Sequence, residues 1–273
     1  MAGPVGLLTR RTWALAVALA VPLVAPLTCM AAPDEVRHVG VIPPAQIPAA
    51  ITAAVDAPDR PAADKQLDAG RRPDQVMAFF GIAPGMKVGE LFAGGGYTTE
   101  LLSRIVGPSG KVYSQNGGLR PRFKKIEQAW KNRLRQPALA NVVAVSKPFN
   151  SGDLIPVPPG SLDEVIIHLN YHDLVASGVD RGKLNRQIFA ALKPGGVYAI
   201  VDHSAQVGSG ARDAGTLHRI DENLVIKEIE QAGFKLAATS GALRHPEDDR
   251  TWFVRDHRGA TDRFMLKFAK PGG

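Results

Sequence analysis

Three histidines stand beside acids or amides at two points where apolar strand-like runs end. One is His168-Leu-Asn170-Tyr-His172-Asp173 and the other is Asp202-His203. Imidazole changes charge near neutral pH, so such residues can take a proton from a substrate. His172 and His203 are the candidate bases, with Asp173 and Asp202 as the groups that would orient them. The same side chains are ligand types that suit zinc or a similar ion. However, the interval between His168 and His172 falls at a strand end, not along a helix face, so no metal is expected. His218-Arg219 with Asp221 opens a later helix; it could cover a substrate, or Asp221 could simply cap the helix. No nucleophilic serine elbow and no cysteine–histidine pair is visible, which disfavours hydrolase chemistry.

A second constellation lies upstream, in Val88-Gly-Glu-Leu-Phe-Ala-Gly-Gly-Gly-Tyr97. It reads as a buried strand ending in an acid, then a glycine loop, then a helix over 98–105. Glycines let a ligand approach the backbone, and a helix start offers free N–H groups. A dinucleotide site needs G-x-G-x-x-G. Here the pattern is an acid, Glu90, four residues before Gly94, with Gly95 and Gly96 following. This spacing argues against a nicotinamide enzyme. It resembles motif I of class I S-adenosylmethionine-dependent methyltransferases. The resemblance implies that Glu90 lies near the methionine end of the cofactor and that Phe92, Ala93, Gly94, Gly95, Gly96 and Tyr97 form its cradle. Phe92 stands where the family usually has a first glycine.

Two further segments match the same family. Leu192-Lys-Pro-Gly-Gly196 resembles the turn before its fifth strand, and Gly160-Ser-Leu-Asp-Glu-Val165 resembles the segment before its fourth. Together the matches span about residues 70–201. Strand patterns at 111–116, 141–145, 162–168 and 197–201 alternate with helical ones at 123–139 and 184–192; a helix at 221–233 and strands at 234–239 and 263–268 follow. That order predicts a single doubly wound α/β domain with a mostly parallel seven-stranded sheet, a Rossmann-like methyltransferase fold, preceded by a helical extension. Ligands in such sheets bind at the carboxyl ends of the strands. By resemblance, Asn116 stands where an acid usually holds the ribose hydroxyls, and Asn150 near the adenine. His168 and Asn170 complete the expected cofactor contacts. More narrowly, the chain resembles a group of exported methyltransferases in which a glycine triplet precedes an aromatic and Thr-Glu, and a strand ends in an acid and His, as Asp202-His203 does.

The chain has 273 residues, 45% of them apolar, enough for one sizeable core. Arg10-Arg11 precede an apolar run from Trp13 to Leu27, and small residues follow; residues 1–31 read as a signal peptide. The run is short and broken by prolines, so no stable membrane insertion is expected after cleavage. Thr9 to Leu15 also resembles a twin-arginine signal. The protein is therefore expected in the periplasm or secreted. Residues 32–62, rich in Pro and Ala, read as a linker, and 63–270 as the methyltransferase-like domain. The net charge of +7 is spread along the chain without a nucleic-acid signature. The expected function is S-adenosylmethionine-dependent methyl transfer to a small molecule. The alternative, motivated by Asn116, Phe92 and the compartment, is an exported non-catalytic protein that binds an adenosyl ligand.

Overall fold

The computed structural model describes residues 35–117 and 124–272, besides Met1 and Gly3. The leader expected over 1–31 lies outside them. Eight strands form one sheet: β1 (Arg37–Val39), β2 (Lys87–Leu91), β3 (Lys111–Gln115), β4 (Val142–Val145), β5 (Leu162–His168), β6 (Leu192–His203), β7 (Lys235–Ser240) and β8 (Arg263–Ala269). Their order across the sheet is β1-β7-β8-β6-β5-β2-β3-β4. Only β8 runs against its neighbours, β6 and β7. The mostly parallel, doubly wound reading therefore holds, with one strand more than the seven expected.

The helices are α1 (Ala49–Val55), α2 (Ala62–Arg71), α3 (Pro73–Phe80), α4 (Tyr97–Val106), α5 (Lys124–Arg133), α6 (Tyr171–Ala176), α7 (Arg181–Ala191) and α8 (Glu222–Glu230). They cover both sheet faces, and the strand alternation shows it. Val165 and Ile167 of β5 join a core with Leu174, Leu184, Ile188, Val225 and Ile229, from α6, α7 and α8. Ile166, one residue between them, joins the opposite core with Ile51, Val76, Phe80, Leu102 and Ile105, from α1, α3 and α4. A strand covered on both faces reads as a near-continuous apolar run, which Val165, Ile166 and Ile167 supply, with Glu164 buried beside them.

The Pro/Ala-rich stretch read as a linker is, from residue 35 on, part of the domain. Proline misleads there because it starts helices as well as loops. Pro48 and Pro61 occupy the residues that open α1 and α2, and neither helix loses an internal donor. Ile51 of α1 is fully buried, and β1 pairs in parallel with β7. The Leu192-Lys-Pro-Gly-Gly196 turn is absorbed into the start of β6, where Gly195 takes a φ of 76°.

After β2 the chain moves to β3 and β4 on one side, and β5 and β6 lie on the other. The connections diverge between β2 and β5, so a crevice opens where both strands end, the usual ligand position in such sheets. Among the described residues, no helix is long and apolar enough to cross a membrane.

If α1 is core and not linker, Ile51→Ala should lower the unfolding free energy by about 2–4 kcal/mol. Urea denaturation measures this; an unchanged midpoint would return residues 49–55 to the role of a tether.

Candidate functional site

The glycine loop is braced from below by one carboxyl group. Glu90, at the end of β2, is buried and accepts hydrogen bonds from Thr99 Oγ1 of α4 and Ser114 Oγ of β3, both at 2.5 Å. Burial pushes its pKa up to about 7, against the opposing pull of those two hydroxyls. From above, Asn116 makes a two-point bond to Gly94. Its Nδ2 donates to the Gly94 carbonyl at 2.8 Å, and its Oδ1 accepts from the Gly94 amide at 3.2 Å. Phe92 occupies the left-handed region at φ 61°, the conformation the family's glycine would supply. Its ring stacks on Phe149 at 3.9 Å, a contact that offsets the strain. Gly96 opens α4 at φ 86°, and a Cβ there would lie 2.6 Å from Arg133 Cδ. No side chain caps the helix at Gly96, so its first amides remain available to an outside acceptor.

Helix α2 closes one side of the crevice through charge. Tyr97 donates from its hydroxyl to Asp68 at 2.6 Å, and Arg60 holds the same carboxylate at 2.8 Å. Arg133 joins Asp64 of α2, at 2.5 Å, to Glu100 of α4, at 2.6 Å. Burial, and then Asp68, push the Tyr97 phenol well above its usual range, so it stays a neutral donor.

The cavity at the strand ends has a volume of about 670 Å³, within the range of small-molecule sites. Phe92, Ala93, Gly94, Gly95 and Tyr97 line one end. His168, Asn170, His172, Asp173 and His203 line the other, so the histidines of two strand ends do meet. Other expected contacts are placed differently. Glu90 lies beneath the loop, and Gly96 faces Trp130 and Arg133. Asn116 is committed to Gly94 and is not presented to a ribose. Asn150 accepts from the Asp180 amide, away from the crevice. Asp202 is fully buried behind the wall, where it acts on the histidines.

Asp202 organises that wall. Its Oδ2 accepts from the His172 amide at 2.8 Å, and its Oδ1 accepts from His172 Nδ1 at 2.7 Å and from the His203 amide at 2.8 Å. A carboxylate cannot donate here, so Nδ1 of His172 carries a proton and Nε2 faces the crevice. Burial lowers the His172 pKa, but the Asp202 charge and hydrogen bond outweigh it and leave it raised. Asp173 accepts from Asn170 Nδ2 at 2.8 Å. Burial would raise its pKa, yet His218 and His172 pull it down to about 2. His203 bonds to Thr261 at 2.9 Å, and burial drives its pKa well below the ordinary value. His168 meets Thr98 Oγ1 at 2.9 Å, while its Nε2 is buried without a partner; burial takes its pKa down to about 3. Both rings are neutral walls of the crevice. His172 therefore keeps the role of a proton-accepting candidate, and His203 does not sit on the Asp202 carboxylate through its ring.

Two groups were not foreseen as part of the wall. His218 reaches it with Nδ1 3.0 Å from His172 Nε2. Arg71, Arg255, Arg258 and Arg263 make much of the remaining lining cationic. Asp221 does cap α8, accepting from the Asn223 amide at 3.0 Å.

No protein-family model matches the chain. Among solved structures, the fold is similar to a SAM-dependent methyltransferase from Aquifex aeolicus, with a TM-score of 0.55 and 20% identity, over 77% of this chain and 97% of that one. It is also similar to CrArsM, an arsenic(III) S-adenosylmethionine methyltransferase from Chlamydomonas reinhardtii, with a TM-score of 0.52 and 18% identity, over 82% of this chain and 73% of that one. A 4+2 cyclase, SpnF, has the fold too, with a TM-score of 0.55 and 14% identity, over 78% and 83%. These likenesses establish the Rossmann-like methyltransferase fold. The cyclase shows that the fold alone does not fix the reaction.

The raised Glu90 pKa makes a stability prediction. The folded state keeps the proton that the unfolded chain loses near 4.5, so stability is lost as pH rises from there through about 7. Glu90→Gln, which cannot ionise, should flatten the fall in Tm between roughly pH 5 and pH 8. A parallel decline in variant and parent would show that Glu90 is not the group responsible.

Proposed function

We propose that this protein is an S-adenosylmethionine-dependent methyltransferase acting on a small-molecule acceptor. The observation that carries the reading is the single crevice at the β2/β5 divergence. A glycine loop and an uncapped helix start lie at one end, and the Asp202-held His172 lies at the other. The solved structures that share the fold support the choice of cofactor, because two of those described are named as S-adenosylmethionine-dependent methyltransferases. The cofactor would supply an electrophilic methyl group on a sulfonium. The glycine-loop backbone at Gly94 and Gly95, with the first amides of α4, would hold it.

The protein's own work is alignment. Methyl transfer from a sulfonium needs the acceptor atom in line and dry, and little covalent help. The His172 end of the crevice, lined by neutral His168 and His203, provides a partly desolvated place for that atom. Arg71, Arg255 and Arg258 on the lining suggest starting an acceptor panel with anionic small molecules. From the Arg10-Arg11 pair and the apolar run after it, we further place the protein outside the cytoplasm.

Calorimetry with S-adenosylmethionine and S-adenosylhomocysteine tests the cofactor reading. Binding of both is expected, and the absence of both overturns it. Binding without turnover across the panel would favour the non-catalytic adenosyl-ligand protein. Gly95 supplies the matched control: a Cβ there meets nothing within 4 Å, yet the residue lines the crevice. Gly95→Leu should leave Tm unchanged and weaken cofactor binding at least about tenfold, or about 1.4 kcal/mol. Export has its own test, in which Arg10→Lys with Arg11→Lys should abolish periplasmic accumulation if the twin-arginine route is used.

A further inference from the structure

We propose that His172, His218 and Asp173 form a binding site for a divalent transition-metal ion of the zinc class, open toward the crevice. This rests on the methyltransferase reading only for its role, not for its existence. The three side chains bring one ligand atom each within 4.8 Å of one another. His172 Nε2 and His218 Nδ1 are 3.0 Å apart; His172 Nε2 and Asp173 Oδ2 are 3.6 Å apart; His218 Nδ1 and Asp173 Oδ1 are 3.5 Å apart. Ligand atoms about 2.0–2.1 Å from a tetrahedral ion stand about 3.3–3.4 Å from each other. The observed separations bracket that value, and because the two to Asp173 run to different oxygens of its carboxylate, a turn of that carboxylate would let one ion touch all three residues.

Each ligand is also held from behind, which a chance cluster would not require. Asp202 accepts from His172 Nδ1 at 2.7 Å, fixing the tautomer that leaves Nε2 free and making the ring a stronger ligand. Asn170 Nδ2 holds Asp173 Oδ2 at 2.8 Å. His218 is kept in the left-handed region, at φ 56°, by its neighbour Arg219. Arg219 is fully buried, pairs with Asp248 at 2.8 Å and donates to the carbonyls of Ser204 and Trp252. A non-glycine residue held at positive φ is costly and needs its surroundings to impose it. Here the imposed conformation turns an imidazole nitrogen toward another histidine and a carboxylate.

Three protein ligands leave one position of a tetrahedral ion facing the crevice, the arrangement of catalytic sites, not structural ones. An acceptor oxygen or nitrogen placed there would lose its proton at lower pH and present a lone pair to the methyl group. Binding requires unprotonated Nε2 on His172 and Nδ1 on His218, so the proton they share in the metal-free pair leaves to solvent. The expectation of no metal rested on His168 and His172. The site uses instead His218, which a turn after β6 brings back to α6.

The full chain, stripped with a chelator and dialysed, is titrated with Zn²⁺ by calorimetry and with Co²⁺ by visible absorption. One equivalent should bind, and Co²⁺ should show the d–d bands of a low-coordinate site. His218→Gln should abolish both signals, and Asp202→Asn should weaken binding about 10–100-fold. His38→Ala, exposed on the edge strand β1, should change nothing. His172→Ala is included, with circular dichroism to check folding; His218→Gln keeps the test valid if that variant unfolds. Absence of stoichiometric binding, or binding that survives His218→Gln, overturns the site. S-adenosylhomocysteine titrated into the same samples separates the two readings. Metal binding without cofactor binding ends the methyltransferase reading alone; cofactor binding without metal binding ends this one.

Discussion

One buried carboxyl group holds the glycine-loop end of the crevice together. Glu90 receives hydroxyls from Thr99 and Ser114, and so joins β2, α4 and β3 at the point where the loop turns over them. An acid in this dry position costs free energy when ionised, which is why its pKa moves up. The loop above it is also tied to the end of β3, where the Ala93 amide donates to the Gln115 carbonyl at 3.1 Å. Its shape is completed from the far side by Asn116, whose amide can donate and accept at once and so matches a peptide group. A carboxylate at 116 could accept from the Gly94 amide but would meet the Gly94 carbonyl without a proton to give.

A second buried carboxylate does the corresponding work at the other end. Asp202 spends three acceptor positions on His172 and His203, tying the end of β6 to the start of α6. The two strands that flank the divergence, β2 and β5, thus open between two acids, each sunk below its own wall. Neither acid lines the crevice. Both set what lines it, the first by shaping backbone and the second by choosing a tautomer.

Much of this was legible in the sequence, and the failures have separate physical causes. Strand, acid, glycines and helix appear in that order because each is a local constraint, and Leu162–His168 was read to the residue from the apolar run Val165-Ile-Ile167 and the turn Pro158-Pro-Gly-Ser161 that leads into it. That Asn116 bonds to Gly94, and Asn150 to the Asp180 amide, could not be read from the chain, because only the fold brings these groups within reach. His172 was assigned to a strand end, whereas six residues of helix, α6, begin one position earlier. His218 was seen as a possible cover, but its partnership with His172 spans 46 residues and rests on Arg219, a buried cation that no periodicity announces. The prolines before α1 and α2 gave the opposite error, since the same fixed φ that suits a linker also suits the first turn of a helix.

The pairing of β1 carries a consequence for how the chain is made. Arg37, His38 and Val39 lie beside Ala238, Thr239 and Ser240. β7 in turn is hydrogen-bonded to β8, at the end of the chain. The first strand among the described residues is therefore without its neighbour until nearly the whole polypeptide exists. Closing so distant a contact is slow, because the entropy of the intervening loop must be lost before the pairing repays it. Residues 37–39 must wait, unpaired, while the core assembles downstream of them. The first part of the domain to leave the ribosome is, by topology, among the last to find its place.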